Sequence, residues 1–213
     1  MELLDRERCL ALLQEYRVPE HIVSHSLRVA QVGVFISAHL KMVGEDLDIG
    51  LVEAGGLLHD ITKMDSVYTG QNHALSAFRL FETLGYHAVA DIARQHVRLD
   101  QDIGHDPKIT EALIVNYADK RVKHTSIVTL SERFEDLLIR YGTTPERREM
   151  IRKLHDEIAK IEFLIFTKLD IGPARLNDLN VLEPAAKVVK TRKDLWMIPL
   201  KIPHLRRTIN VEC

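Results

Sequence analysis

Residues 21–42, HIVSHSLRVAQVGVFISAHLKM, set Ile22, Val29, Val32, Phe35 and Ile36 at spacings of three, four and seven. That period puts one apolar stripe along a helix, whereas a half-buried strand would alternate. The same rhythm recurs almost throughout the chain, so the expected fold is all-α. Working upstream, residues 3–15 read as a short first helix, and Pro19 sits where a helix start tolerates it. Downstream, Gly44 ends the helix and Asp46 or Asp48 caps the next, which carries Leu51, Val52, Leu57 and Leu58 down to His59 and Asp60. Residues 69–72 read as a loop, 73–84 as a helix closed by Gly85, and 86–97 as another. Pro107 opens a helix over about 108–122, Ser126 caps one reaching Tyr141, and Pro145 starts a long charged one to about Leu169.

With 213 residues, 46% of them hydrophobic, the chain can bury a full core. A formal net charge of -2 supplies no basic field for a nucleic acid or an anionic membrane. The start, MELLDRERC, lacks a secretory apolar region, and no apolar run approaches the ~18 residues a membrane span needs. The expectation is a cytoplasmic protein without a membrane partner. Cys9 and Cys213 form no disulfide framework, which suits a reducing compartment. Composition changes after Pro173: residues 184–213 hold seven Lys or Arg against two acidic residues, three of the seven prolines and the single Trp. We therefore divide the chain into a helical domain, 1–172, and a basic, irregular and possibly β-containing appendage, 173–213, too short to bury a core alone.

The chemistry concentrates in AGGLLHDITK, residues 54–63, with His25 upstream and His96 and Asp119 downstream. Imidazole and carboxylate together hold first-row divalent ions while leaving positions open for water and substrate. Placed on separate helices, these five residues converge if the helices bundle. Asp60 is the natural bridge between two ions, since a carboxylate offers two oxygens and a neutral imidazole one nitrogen. Water on such an ion is acidified and can attack phosphorus, so hydrolysis leads. Lys63, three residues after Asp60, and Arg28, one turn after His25, are placed to offset phosphate charge.

At these residues the chain resembles the HD-domain superfamily of metal-dependent phosphohydrolases. The resemblance rests on His25 in HSLRVA, the pair in LLHDITK and Asp119 in NYADKRV, in that order, and spans residues 19–141. It implies an HD-domain helical bundle in which His25, His59, Asp60 and Asp119 hold one metal. HALSAFRLFETLG, 73–85, looks like the additional histidine helix of the binuclear members, and His96 in IARQHVRL like their next histidine. The resemblance thus implies one or two divalent ions, Fe, Mn, Ni, Co or Zn. It departs where many relatives carry a His pair and this chain has Gln95-His96. The implied activity is hydrolysis of a nucleotide or related small phosphate ester, catalysed through Asp60 and Lys63. Diadenosine tetraphosphate hydrolases and small HD nucleotidases share this layout, whereas the HD-GYP branch needs a GYP motif where residues 99–106 read LDQDIGHD.

Two other classes stay open. The basic tail from Lys187 to Arg207 would serve a nucleic-acid-binding or nuclease-like protein, although such a tail more often packs against an acidic body. A non-catalytic nucleotide-binding regulatory domain would use the same pocket. Arg98, Lys120 and Arg121 are candidates for a positive rim, with Arg98 placed to meet substrate. The helix 146–168 turns Ile151, Leu154, Ile158, Ile161 and Leu164 to one side, which either packs on the core or pairs with a second copy in a homodimer. The remaining histidines read as structural or surface residues.

Overall fold

The structure, a computed structural model, describes residues 4–104 and 107–181. In chain order the elements are α1 (Arg6–Glu15), α2 (Glu20–Met42), α3 (Ile49–Leu58), α4 (Lys63–Thr69), α5 (His73–Thr83), α6 (His87–Gln95), α7 (Glu111–Lys120), β1 (Val122–Lys123), β2 (Ser126–Ile127), α8 (Leu130–Tyr141), α9 (Pro145–Phe166) and a 3-10 helix (Pro173–Val181). The fold is all-α, with β1 and β2 pairing antiparallel in the one small hairpin among the described residues. No described helix is long and apolar enough to cross a membrane.

Two apolar clusters form the core. In the first, Val29, Val32, Ile36 and Leu40 of α2 meet Leu113, Ile114 and Tyr117 of α7 and Ile158, Ile161 and Ile165 of α9. In the second, Cys9 and Leu12 of α1 and Leu57 and Leu58 of α3 meet Ala77 and Phe81 of α5 and Ala90 and Ala93 of α6. α2 and α3 contribute to both clusters, so their seam runs between the two halves of the core. They come unusually close at Gly56, where a Cβ would lie 2.7 Å from the Cα of Ala30. Glycine is required there because the neighbouring atom is backbone and cannot rotate away.

Local chemistry fixes the helix ends. Asp48 caps α3 by accepting from the Leu51 amide, and Asn72 caps α5 through Ala74 and Leu75. Two expectations are corrected. α7 begins at Glu111, after Thr110 captures the Leu113 amide, so Pro107 does not open it. Ser126 caps nothing: it pairs in the hairpin, while Thr129 and Glu132 form a reciprocal capping box on α8. The stretch after Asp60 forms α4, a helix that buries no residue.

The apolar side of α9 packs into this core, with Ile151, Ile158, Ile161 and Ile165 buried. The 3-10 helix joins it through Leu176 and Leu179. Buried Arg121 ties these parts together: Nη1 donates to the Tyr117 hydroxyl (2.7 Å) and to Glu162 (3.0 Å), Nε to the Val128 carbonyl (2.7 Å) and Nη2 to the Pro173 carbonyl (3.3 Å). The basic stretch Lys187–Arg207, and any β structure in the appendage beyond Val181, lie outside the described residues.

Candidate metal centre

The α2–α3 seam delivers His25, mid-helix on α2, beside His59 and Asp60, which follow α3 directly. α7 brings Asp119 from its last turn, α6 brings His96 at its C-cap, and α5 brings His73 at its first residue. His59, Asp60 and His96 are at most 2% exposed.

Backbone carbonyls aim three of the four histidines. Nδ1 of His25 donates to the His124 carbonyl (3.0 Å), that of His59 to Gly56 (2.9 Å) and that of His96 to Ala93 (2.6 Å). A carbonyl can only accept, so Nδ1 carries a proton and each Nε2 faces inward, free to ligate once it carries none. The hairpin supplies the first of these carbonyls. Its turn residue His124 adopts the left-handed region at φ 55, and α2 grips the turn twice, through His25 and through Arg28 Nε on the Thr125 carbonyl (2.9 Å).

Asp60 divides its two oxygens between two groups. Oδ2 stands 3.4 Å from Nε2 of His59 and 4.0 Å from that of His25. Asp119 Oδ1 lies 3.0 Å from His25 and 3.7 Å from His59. On the other side, Asp60 Oδ1 is 3.5 Å from Nε2 of His73 and 3.6 Å from that of His96, and those two nitrogens are 3.0 Å apart. Metal bonds of ~2.1 Å place neighbouring ligand atoms roughly 3 Å apart and opposite ones roughly 4 Å apart. The measured separations fall in that range, and both groups, His25–His59–Asp60 and Asp60–His73–His96, can each hold a metal ion. Two buried atoms, His59 Nε2 and Asp60 Oδ1, have no hydrogen-bond partner. Leaving such atoms unpaired costs free energy that coordination would recover.

The charges are strongly coupled. Burial opposes ionisation of Asp60, but His59, His96 and Lys63 outweigh it and hold its pKa well below the carboxylate range. Asp119 is likewise held down, burial notwithstanding, by Lys120, His25 and His59. Burial disfavours charge on His59, yet Asp60 and Asp119 raise its pKa to about 9. Burial, with His96 next to it, lowers His73 to about 4, and burial also lowers His96. The first group therefore attracts cations, and the second offers neutral imidazoles.

Residues 22–122 match the model of the HD domain family. The chain contains an HD domain. All six residues just described lie inside the matched span. An uncharacterized protein of Methanocaldococcus jannaschii is 29% identical over 167 residues, covering 73% of this chain and 97% of that protein. The crystal structure of a predicted HD superfamily hydrolase from an uncultured Thermotogales bacterium shares 21% identity at a TM-score of 0.43, over 76% of this chain and 92% of that one.

Around these six residues the HD domain places the other candidates unevenly. Lys63 opens α4 and donates to Asp60 Oδ2 at 2.5 Å with its side chain 44% exposed, at the edge of the centre. Burial disfavours its charge, but Asp60 more than compensates and raises its pKa. Arg28, expected to meet substrate, is buried and spends Nη1 on the Leu179 carbonyl and Gln31 as well as Nε on Thr125, so it anchors the hairpin and the 3-10 helix. Arg98 is exposed and lines a cleft of about 300 Å³ against Leu154, Glu157 and Lys160 of α9, apart from the six. Lys120 and Arg121 form no rim. Lys120 is buried on Asp119 Oδ2 (2.7 Å) and the His96 carbonyl (3.2 Å), and Arg121 is buried on Glu162. Asn116 escaped sequence reasoning: its amide donates to the Gln95 and His96 carbonyls and fixes the end of α6.

Proposed function

We propose that this HD domain is a metal-dependent phosphohydrolase acting on a nucleotide or related small phosphate ester. The observation that supports it most is the split of Asp60, one oxygen toward His25 and His59 and the other toward His73 and His96. In this reading His25, His59, Asp60 and Asp119 hold one ion, and Asp60, His73 and His96 hold a second. Bound divalent ions supply a water of lowered pKa and polarise a phosphoryl oxygen.

The chain's own groups do the rest. The Nδ1 bonds fix three imidazole rings with Nε2 toward the centre, so no rotamer search is needed when a cation arrives, although His59, its pKa raised to about 9, must release its Nε2 proton. Lys120 holds Asp119 Oδ2 and leaves Oδ1 facing His25. Lys63, its proton held firmly by Asp60, brings an ammonium to the edge of the centre, where a substrate's phosphoryl oxygens gain charge as the ester bond breaks. Hydrolysis adds hydroxide to phosphorus and returns a proton to the departing oxygen.

The test is release of phosphate or nucleotide from a panel of nucleotides and dinucleoside polyphosphates by protein loaded with Mn, Fe, Co, Ni or Zn. Turnover abolished in Asp60→Asn supports the reading. A protein that takes up metal and hydrolyses nothing on the panel contradicts it.

A further inference from the structure

The cleft of about 300 Å³ between the 97–104 loop and α9 holds one unspent acceptor at its most buried end. Asn116, Ile158 and Ile161 are the deepest of its lining residues, each at most 2% exposed, and Leu99, Ile103 and Leu154 are half-buried above them. Asn116 Nδ2 is spent on the Gln95 (2.9 Å) and His96 (3.0 Å) carbonyls. Carbonyls only accept, so the amide nitrogen must face them, and Oδ1 is the polar atom this side chain has left for the cleft. That oxygen is buried without a partner, which costs free energy unless a donor reaches it. A lone water is poorly held there, because a buried water needs two to four polar partners and isoleucine side chains stand beside Oδ1.

The rest of the lining says what kind of ligand brings that donor. Every ionisable side chain of the cleft is exposed, so its buried end offers a charged group no counter-ion and takes a neutral N–H or O–H. Leu99 and Ile103 of the loop face Leu154 and Ile158 of α9, and such walls suit a flat apolar body. The opening carries Arg98 and Lys160 with Asp100, Asp102 and Glu157. Arg94 already holds Asp100, and even then two carboxylates match the two cations. That balance gives no positive excess to seat a phosphate, whereas hydroxyl groups can donate to the carboxylates and accept from the cations. A heterocyclic base with N–H donors on its edge, joined to a neutral hydroxylated sugar, has this pattern.

We infer that this cleft is a second binding site, apart from the metal centre, for a neutral nucleoside. The base enters edge-first between the loop and α9, one of its N–H groups donates to Asn116 Oδ1, and the sugar hydroxyls stay among the charged groups at the opening. The site is built from α7, α9 and the 97–104 loop and needs no metal, so it stands whether or not the phosphohydrolase reading does. Asn116 is its link to the metal centre, since the same amide holds the carbonyl of His96.

The test is calorimetric titration of adenosine, guanosine, cytidine and uridine, and of their monophosphates, into the full chain kept metal-free by chelator, in wild type, N116V and L154W. We expect at least one nucleoside to bind wild type and its monophosphate to bind several-fold more weakly. Both variants should lose about ten-fold or more in affinity, N116V by removing the acceptor and L154W by filling the cleft. A wild type that binds none of the four nucleosides overturns the inference. So does affinity in L154W within about two-fold of wild type, which puts the ligand elsewhere, and the same result in N116V, which puts the base away from Oδ1. Monophosphates that bind as tightly as the nucleosides overturn the assigned class. Should N116V fail to fold once the end of α6 is released, L154W decides, its circular dichroism showing that the helices are retained.

Discussion

Lys63 Nζ and Asp60 Oδ2 are 2.5 Å apart, a charge-assisted bond made by the oxygen that also faces His59 and His25. The ammonium therefore competes with a cation for that oxygen, yet stands where phosphate charge must be offset. Lys63→Met should bind Mn at least as tightly as wild type while kcat falls roughly 100-fold. Metal titration and steady-state kinetics on the same preparation separate the two effects. A fall in metal affinity with kcat intact would reverse the assignment.

Arg28 supports the site from behind. Truncation in Arg28→Met leaves the Thr125 and Leu179 carbonyls without their donor, at a cost of roughly 1–3 kcal/mol. Urea unfolding should show that loss, with weaker metal binding as the His124 turn loosens and KM unchanged in the metal-saturated enzyme. A several-fold rise in KM without loss of stability would restore the substrate role expected from sequence.

Gly56 sets the α2–α3 separation and accepts from His59 Nδ1. Gly56→Ala forces a methyl against the Ala30 backbone and should cost about 1–3 kcal/mol, with reduced metal content because His59 moves with α3. An unchanged unfolding midpoint and full metal content would show that the seam yields at no cost.

The second group gives a pH signature in the chelated protein. His73 titrates near 6.5 when unfolded but at about 4 in the fold, chiefly through burial. A group whose folded pKa is lowered in this way favours the unfolded chain once protonated. The stability is therefore intact above pH 6.5 and lost as pH falls from 6.5 toward 4, by up to about 3 kcal/mol. Thermal melts with chelator should show wild type losing more stability over that window than His73→Gln. Parallel losses in the two proteins would place His73 in an ordinary solvated environment.

What the sequence made legible follows from how each feature is encoded. α2, α3, α5 and α9 bury apolar stripes, and a stripe is written in the period of the residues. His59-Asp60 was legible because the pair follows the apolar run of α3. α4 was not, since KMDSVYT buries nothing and has no stripe to read. The hairpin was missed because two-residue strands carry no alternation, and its turn is held by contacts with His25 and Arg28, residues nearly a hundred positions away. Ser126 drew attention from Thr129, although TLSE at 129–132 spells the capping box. Arg28 looks in the sequence like a cation free to meet substrate, and only the fold shows that it spends donors on the Thr125 and Leu179 carbonyls.

The central claim is that Asp60 joins two metal-holding groups, so the most direct measurement is metal content by plasma mass spectrometry on wild type and His73→Ala loaded under identical conditions. The account predicts about two ions per chain in wild type and about one in the variant, with the folded state retained. Equal metal content in both proteins, or none in either, would contradict it.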